Sequence, residues 1–428
     1  MFEELEKAYL PKKVESKIYR IWEKSGYFNP DNLPGLRKQT FSIAMPPPNV
    51  TGELHLGHAT ALTIEDLLTR YHRMQGKKTL YLPGTDHAGI STQIMVERLI
   101  AKSGLNRHKL GRAEFLKRAW AWKKQYGTRI TEQIRQLGTS CDWSRERFTM
   151  DETFTIAVQT AFVRMYKDGL IYRGDRIVNW CTRCSSALSD LEVKHQQTTN
   201  KLWYIKYPLF GSTKYLVVAT TRPETMLGDT AVAVNPKDNR YQRYVGKSIF
   251  LPITNREIPI ITDDRIDMEF GSGVVKVTPA HDHLDYEIGA DHKLETINVI
   301  GQDGRMTKEA GEFYGQSIQE ARHQILQRLE NEELLEKTIN YIHNLARCDR
   351  CGSPIEPLIS KQWFIKTKIL AKPAIAAVKS GQIKIIPKRF EKVYFHWMNN
   401  IKDWCISRQL WWGHQIPVWY RGNQIRAS

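Results

Sequence analysis

The first third of the chain alternates between helical and extended hydrophobic patterns. Apolar residues recur at helical spacing from Lys13 to Tyr27, which predicts an amphipathic helix. The apolar run Thr40–Met45 predicts a buried strand, a helical stretch covers about Gly57 to Gln75, and Lys78–Leu82 predicts a second strand. This order opens a doubly wound parallel sheet, an α/β fold in which ligands bind beyond the carboxyl ends of the strands.

The pattern changes character further along the chain. It is mostly helical from Arg107 to about Lys167, becomes extended after Tyr172, and is helical again at Ser317–Glu330. Short β-rich runs punctuated by Gly, Pro and Asp are typical of a compact β-dominated domain. These runs are Leu202–Tyr207, Tyr215–Ala219, Ala231–Val234, Ile258–Ile261 and Val274–Val277.

Composition narrows the class of protein. A chain of 428 residues with 41% hydrophobic and 25% charged residues is ordinary for a globular protein of two or three domains. The excess of 63 Lys and Arg over 46 Asp and Glu gives a net charge of +17, which favours phosphate-rich partners. A generally basic, solvated surface is the alternative. With no apolar stretch of membrane length and no signal-like start, we expect a cytoplasmic protein without a membrane partner.

Four of the six cysteines form two C-x-x-C pairs, Cys181 with Cys184 and Cys348 with Cys351. In a chain without a secretion signal, such pairs favour thiolate metal ligation over disulfides. Although 163 residues separate the pairs, together they supply the four ligands of a closed, structural zinc site. Reduced cysteines in two turns are the alternative.

A second candidate is the H-x-G-H motif at the predicted start of a helix. His55 and His58 are three residues apart and share one face of the first turn, while Gly57 leaves the backbone open to a flat ring. A helix amino terminus attracts phosphate, and two imidazoles there could donate hydrogen bonds to it. Taken alone, the motif is weak and is more typical of two surface histidines.

The surrounding string AMPPPNVTGELHLGHA resembles the ATP-binding signature of class I aminoacyl-tRNA synthetases, in the form typical of the valyl branch. Further segments are similar to that branch in family order and cover nearly the whole chain. They are PGTDHAGISTQ, LGTSCDWSRERFTMD, VNWCTRCSSALSDLEV, TTRPETMLGDTAVAV, GSGVVKVTPAHDHLDYEIG and DWCISRQLWWGHQIPVW. The isoleucyl branch is less favoured, because PPPNVTG and LWWGHQIP do not fit it.

The resemblance implies an adenylate-forming site for ATP, with Mg²⁺, and valine, with tRNA(Val) as the acceptor. His55, Gly57 and His58 would act on the ATP phosphates, and Asp86 would bind the valine ammonium. The side-chain and nucleotide pockets would be lined by Pro46, Pro47 and Asn49. For Asp86, capping of the helix that begins near Ala88 is the alternative.

The resemblance also implies an editing site that hydrolyses mischarged Thr-tRNA(Val). Arg222 and Lys276 would hold the tRNA 3′ end, and Asp285 or Asp282 the ammonium of the wrong amino acid. Thr225 and Thr278 would recognise the substrate or place the water, in a hydroxyl-rich loop with Thr220 and Thr221. The alternative is a plain turn beside a solvated acidic face. A metal site at His281 and His283 is not expected.

Domain boundaries follow from these assignments. We expect an N-terminal helix and the first half of a Rossmann-like catalytic domain at 1–170, and a zinc-knuckle connection at 171–195. The β-rich editing insert would occupy 196–342, with a return connection carrying the second knuckle at 343–392. The second half of the catalytic domain would begin at 393–428.

No KMSKS-like lysine loop or helical anticodon-binding domain is recognisable in the 428 residues. The expectation is therefore an N-terminal fragment of a valine--tRNA ligase that activates valine poorly by itself. A separate chain would then carry the other half. A stand-alone editing deacylase and an inactive tRNA-binding remnant remain open as alternatives.

Overall fold

The computed structural model describes residues 8–422 and 424–428 of the chain. Over these residues the helices are α1 Pro11–Lys24, α2 Leu56–Met74, α3 Gly89–Ala101, α4 Arg107–Leu110, α5 Arg112–Gln136, α6 Glu152–Lys167, α7 His283–Asp291, α8 Ile318–Asn331, α9 Thr367–Lys379 and α10 Glu391–Asn399.

The strands up to the second C-x-x-C pair are β1 Thr40–Ala44, β2 Lys78–Leu82, β3 Gly84–Thr85, β4 Arg147–Phe148, β5 Ile171–Cys181, β6 Ser186–Leu188, β7 Val193–Pro208, β8 Tyr215–Thr220, β9 Ala231–Val234, β10 Ser248–Phe250, β11 Glu257–Thr262, β12 Val274–Val277 and β13 Leu335–Cys348. The remaining strands are β14 Glu356–Ile365, β15 Trp404–Cys405, β16 Val418–Arg421 and β17 Gln424–Ala427.

The chain divides into two compact units. The first unit comprises the residues up to Arg164 together with Leu410–Ser428, and the second comprises Met165–Gln409. In the part of the chain that is described, no helix combines the length and apolarity needed to cross a bilayer.

The first unit contains a strand–helix–strand arrangement that confirms the predicted elements. β1 and β2 pair in parallel with Thr40 opposite Lys78, and α2 connects them. A shorter parallel pair, β3 with β4, follows directly after β2. The core of this unit contains Tyr81, Phe115 and Trp412, all fully buried. Parallel strands need such a crossover, and their carboxyl ends consequently meet at one edge.

The second unit is dominated by β-structure, as its sequence pattern predicts. An antiparallel sheet has the order β15-β14-β5-β6, and a ribbon has the order β13-β7-β8. A mixed sheet with the order β10-β11-β9-β12 packs its apolar faces into the core of this unit. The five predicted runs fall in β7, β8, β9, β11 and β12, and the predicted helix is α8, whose amino terminus is capped by Ser317.

Candidate functional site

In the first unit, the PPPNVTG loop and the GTDHAG loop pair through their backbones. The Val50 amide donates to the Asp86 carbonyl at 3.0 Å, and the Asp86 amide donates to the Pro48 carbonyl at 2.8 Å. The pairing places Asn49 opposite Asp86 in a short parallel bridge. Pro46, Pro47 and Asn49 are exposed, so their side chains are accessible at the ends of β1 and β2.

The Asp86 carboxylate is half-buried and held by three donors. Its Oδ1 accepts from the Thr149 hydroxyl at 2.8 Å and from the Ala88 amide at 3.2 Å, and His87 Nδ1 lies 3.2 Å away. Burial acts to raise the pKa of Asp86, but the hydrogen bonds outweigh it and lower the pKa to about 2. The group is therefore a fixed carboxylate at neutral pH. Its contact with Ala88 also shows that it contributes to the start of α3.

His55 and His58 face each other at the amino terminus of α2. Their ring centroids are 3.9 Å apart. His55 Nδ1 accepts from the Gly57 amide at 3.1 Å, and His58 Nδ1 accepts from the His55 amide at 3.3 Å. Because each Nδ1 is an acceptor, each neutral ring carries its proton on Nε2. Partial burial, followed by the neighbouring His55 ring, lowers the pKa of His58. The pair can thus offer two N–H donors.

Gly57 has a steric role beside the His55 ring. A Cβ at position 57 would lie 3.0 Å from Cε1 and 3.1 Å from Nδ1 of His55. A side chain here would push that ring away from its hydrogen bond with the backbone. The glycine therefore protects the capping geometry as well as keeping the backbone open.

The carboxyl-terminal segment packs against the same loop. Trp412 Nε1 donates to the His87 carbonyl at 2.8 Å, and Gln93 Oε1 accepts from the Trp411 and Trp412 amides at 2.9 and 3.2 Å. His414 Nε2 lies 2.8 Å from the Thr149 carbonyl. These contacts hold the loop that carries Asp86 in place through residues that lie more than 250 positions later in the sequence.

The two C-x-x-C pairs come together in the second unit. Sulfur atoms of Cys181, Cys184, Cys348 and Cys351 all lie within 4.8 Å of one another. Four thiolates around zinc at about 2.3 Å would have sulfur–sulfur distances of about 3.8 Å, so the group fits a tetrahedral ion. Hydrogen bonding from Cys181 and from Cys348, together with burial, raises the pKa of Cys184 well above its ordinary value. The pKa of Cys348 is lowered instead, because Cys181 and Cys184 donate hydrogen bonds to it, so the thiols share protons within the cluster.

In both cysteine turns, the residue after the second cysteine has a positive φ angle. Ser185 and Gly352, each directly after the second cysteine of its pair, adopt positive φ angles of 48° and 74°. Each turn closes the end of a strand, since Cys181 ends β5 and Cys348 ends β13. The left-handed residue lets the chain fold back over the sulfur atoms.

A buried polar group forms around the end of β12. The Thr278 amide donates to Asp285 Oδ2 at 2.9 Å, and the Thr278 hydroxyl donates to Asp229 Oδ1 at 2.6 Å. Lys276 Nζ lies 3.2 Å from Asp229 Oδ1 and also donates to the Thr278 hydroxyl. Burial, followed by the charge of Asp282, raises the pKa of Asp285 to about 7. Three of the predicted editing residues therefore share one hydrogen-bonded group.

Arg222 belongs to a separate ion-pair network. Its guanidinium contacts the carboxylates of Glu224 and Glu356 and donates to the His281 carbonyl at 3.1 Å. Glu224 is fully buried and accepts from Arg322 at 2.7 and 2.9 Å. The network fixes the TTRPET loop against α8 and β14. Arg222 is predicted to hold a tRNA 3′ end. Three of its five N–H donors are engaged with these protein groups, and its side chain is 27% exposed.

The other predicted editing residues have local roles in the same region. Thr220 and Thr225 are buried, and their hydroxyls bond to the backbone of Arg222. Thr221 is partly exposed. Asp282 is exposed and caps α7 by accepting from the Leu284 and Asp285 amides at 2.8 and 3.2 Å.

The two histidines near Asp282 have different environments. His281 is buried, and its Nε2 accepts from the amides of Val299 and Ile300 at 3.0 and 3.3 Å. His283 Nε2 instead lies 3.1 Å from Asn179 Oδ1. The two histidines of the H-x-H sequence therefore contact different groups and do not share a ligand.

Several residues at these sites are not predicted from the sequence motifs. Asp229, Glu224, Arg322 and Glu356 all complete polar groups, and Thr149 completes the contacts of Asp86. Asp229 lies within TTRPETMLGDTAVAV, where an acid just before an apolar strand is a usable signal of a buried charge. Nothing local marks Arg322 or Glu356, because their partners are distant in sequence.

Comparison with known proteins identifies the family of this chain. The family model "tRNA synthetases class I (I, L, M and V)" matches residues 17–426, and the chain belongs to this family. Its curated relatives include valine--tRNA ligases. The chain is 53% identical over 414 residues to that of Clostridium tetani (strain Massachusetts / E88), covering 97% of this chain and 47% of the relative.

Another valine--tRNA ligase, from Carboxydothermus hydrogenoformans (strain ATCC BAA-161 / DSM 6008 / Z-2901), is 54% identical over 418 residues, which is 97% of this chain and 47% of the relative. The chain thus spans about half the length of the curated relatives it matches. A solved ternary complex, Agrobacterium radiobacter K84 agnB2 LeuRS-tRNA-LeuAMS, has a TM-score of 0.44 at 16% identity and covers 97% of this chain and 52% of that one.

Proposed function

We propose that the chain carries two sites of a valine--tRNA ligase. The first unit holds part of the site that forms valyl-adenylate from ATP and valine, on a Rossmann-like parallel sheet. The second unit holds a β-rich editing domain that hydrolyses Thr-tRNA(Val). The observation that carries the proposal is the backbone pairing of the Asn49 and Asp86 loops beside the His55 and His58 pair. It occurs in a chain 53% identical to valine--tRNA ligases.

In the adenylate site, the imidazoles and the carboxylate have complementary tasks. The Nε2–H groups of His55 and His58 would donate to the ATP phosphates as charge moves towards pyrophosphate. Asp86, ionised at neutral pH, would bind the valine ammonium through a charge-assisted hydrogen bond. Pro46, Pro47 and Asn49 would shape the walls of the pocket. ATP would enter with Mg²⁺ as in other nucleotidyl transfers.

At the cysteine cluster, Cys181, Cys184, Cys348 and Cys351 would hold one structural zinc ion. The ion would neutralise the thiolates and join the two turns that end β5 and β13. All four ligands come from protein, so the zinc would take no part in the reactions.

A hydrolytic editing site would correct the weak discrimination between valine and threonine at the adenylate site. Threonine is nearly isosteric with valine, and an apolar pocket rejects an added hydroxyl only weakly; valine-specific synthetases are the established example. In the second unit, Asp285 would bind the ammonium of the wrong amino acid, and Lys276 and Arg222 would hold the tRNA 3′ end. Thr225 and Thr278 would place the substrate or the water, with Thr220, Thr221 and Asp282 shaping the loop and helix around them.

In the hydrolysis itself, water attacks the carbonyl carbon of the aminoacyl ester. The bond from that carbon to the ribose oxygen breaks, and a proton from the water passes to the ribose oxygen. The products are free threonine and uncharged tRNA. Because the polar group around Thr278 is buried, its hydrogen bonds with substrate would be formed in a region of low dielectric constant, where they are strong.

The test is release of threonine from Thr-tRNA(Val) by the purified chain. We expect hydrolysis faster than the spontaneous rate and faster than hydrolysis of Val-tRNA(Val). Asp285→Asn should lower the rate by at least about tenfold. The matched control is Asp238→Asn, since Asp238 is also buried but pairs with Arg240 beyond the opposite end of β9. Release no faster than the spontaneous rate would overturn the editing proposal.

A further inference from the structure

The side chain of Asp229 contacts two of the predicted editing residues, Lys276 and Thr278. Asp229 sits between the 3₁₀ turn Pro223–Gly228 and strand β9, and it is fully buried. Its neighbour Tyr207, near the end of β7, is also fully buried. A carboxylate in such a position is stable only when donors compensate for the loss of water.

Three donors meet the Asp229 carboxylate. The Thr278 hydroxyl and the Lys276 ammonium reach Oδ1 at 2.6 and 3.2 Å, and the Tyr207 hydroxyl reaches Oδ2 at 2.8 Å. Burial raises the pKa of Asp229, while Lys276, Thr278 and Tyr207 act to lower it. Since Lys276 Nζ lies 3.2 Å from Oδ1, the two side chains form a buried ion pair, supported by two hydroxyls.

The Lys276 ammonium is consequently held at two points. It has three N–H donors, of which one is directed at Asp229 and one at the Thr278 hydroxyl. Its side chain retains 10% exposure, whereas that of Asp229 has none. Lys276 is thus the member of this group that reaches the accessible surface, with one donor left for an acceptor oxygen of a ligand.

We propose that Asp229 is a positioning residue of the editing site: with Thr278 and Tyr207 it fixes the Lys276 ammonium so that the remaining donor meets the aminoacyl ester or its ribose. This inference rests on the proposed editing function. It assigns to Asp229 an effect on catalysis that is transmitted through Lys276. The ligand is defined by chemistry, as an uncharged oxygen acceptor at the aminoacylated 3′ end.

The proposal makes a specific statement about coupling between two substitutions. If Asp229 acts through Lys276, then Asp229→Asn should slow threonine release by at least about tenfold. Lys276→Met should also slow it. In the double variant, Asp229→Asn should cause no further loss beyond that of Lys276→Met, because the group that it positions is already absent. A residue that merely supports the fold would instead lower activity additively.

The experiment measures threonine release from Thr-tRNA(Val) by the full chain for wild type, both single variants and the double variant. Asp238→Asn is the matched control, and it should change the rate by less than about twofold. Circular dichroism melting identifies variants that fail to fold. Tyr207→Phe removes a single donor while keeping the ring, and it should slow release by a smaller factor than Asp229→Asn.

The outcomes separate the two proposals. An inactive wild-type chain would overturn the editing function and this inference with it. An active wild type with a folded, fully active Asp229→Asn variant would overturn only the inference. Additive losses in the double variant would do the same. If Asp229→Asn does not fold, wild-type activity in Tyr207→Phe would overturn it.

Discussion

The backbone amide of Thr278 donates to the Asp285 carboxylate, whose Oδ2 accepts at 2.9 Å. This bond ties the end of β12 to the first turn of α7, in a place where water is largely excluded. Burial, and then the charge of Asp282, raises the pKa of Asp285 from 3.8 to about 7. The folded chain consequently keeps this proton up to about pH 7, which makes its stability depend on pH.

The first prediction concerns stability against pH. Between pH 3.8 and about 7 the folded state holds a proton on Asp285 that the unfolded state has lost. Its stabilising contribution is complete below pH 3.8 and disappears as the pH rises through about 7. In Asp285→Asn this contribution is absent. Melting temperatures measured from about pH 4 to about pH 8 should fall more steeply for wild type than for the variant. Parallel curves would contradict the raised pKa.

His281 should show the opposite dependence. Its Nε2 accepts two backbone amides, and burial, followed by Arg222, lowers its pKa to about 3. The neutral ring stabilises the fold above the ordinary pKa of 6.5, and this contribution is lost as the pH falls towards 3. The difference in melting temperature between wild type and His281→Gln should therefore shrink on acidification. A constant difference would show that the ring titrates normally.

The cysteine cluster predicts one bound zinc ion per chain. Cys348→Ser should lower the zinc content and the melting temperature, because a structural ion stabilises the fold that binds it. Cys141→Ser is the matched control, as Cys141 is buried outside the cluster and should leave the metal content unchanged. Mass spectrometry for metals measures the content directly. Wild type that neither contains zinc nor takes it up on refolding would exclude the site.

Trp412 should be one of the most important side chains for the stability of the first unit. It is fully buried, and its Nε1 donates to the His87 carbonyl. Trp412→Ala should cost about 3–5 kcal/mol in free energy of unfolding, measured by urea titration followed by circular dichroism. Trp419 is 58% exposed in the same segment, so Trp419→Ala should cost under about 1 kcal/mol. Equal costs would mean that the segment does not pack as described.

Glu224 should be equally critical in the second unit. Its buried carboxylate faces the guanidinium groups of Arg222 and Arg322. Glu224→Gln leaves both cations without that counter-charge and should cost about 3–5 kcal/mol. The matched control is Glu312→Gln, since Glu312 is 61% exposed in its ion pair with Arg328 and should contribute about 0–1 kcal/mol. Urea titration of both variants measures the contrast.

Much of the local structure follows from periodicity alone. β2, β9 and β12 have the predicted bounds, and the C-x-x-C spacing predicts a cluster whose sulfur atoms do lie together. These features depend on residues close in sequence or on a chemistry that few residue types can perform. The sequence motifs likewise predicted His55, His58 and Asp86 as site residues. The hydrogen bonds from backbone amides that fix the two imidazole rings were not part of the prediction.

The amino-acid order by itself determined the elements, the family membership and the residue types available for chemistry, because hydrophobic period and motif spacing act over short ranges. Only the tertiary structure decided which charges neutralise each other. Asp229 with Lys276, Glu224 with Arg322, and Arg222 with Glu356 meet across 47, 98 and 134 residues of sequence. A buried charge is stabilised by whichever donor the fold brings within about 3 Å, and that choice is made by packing rather than by sequence neighbours.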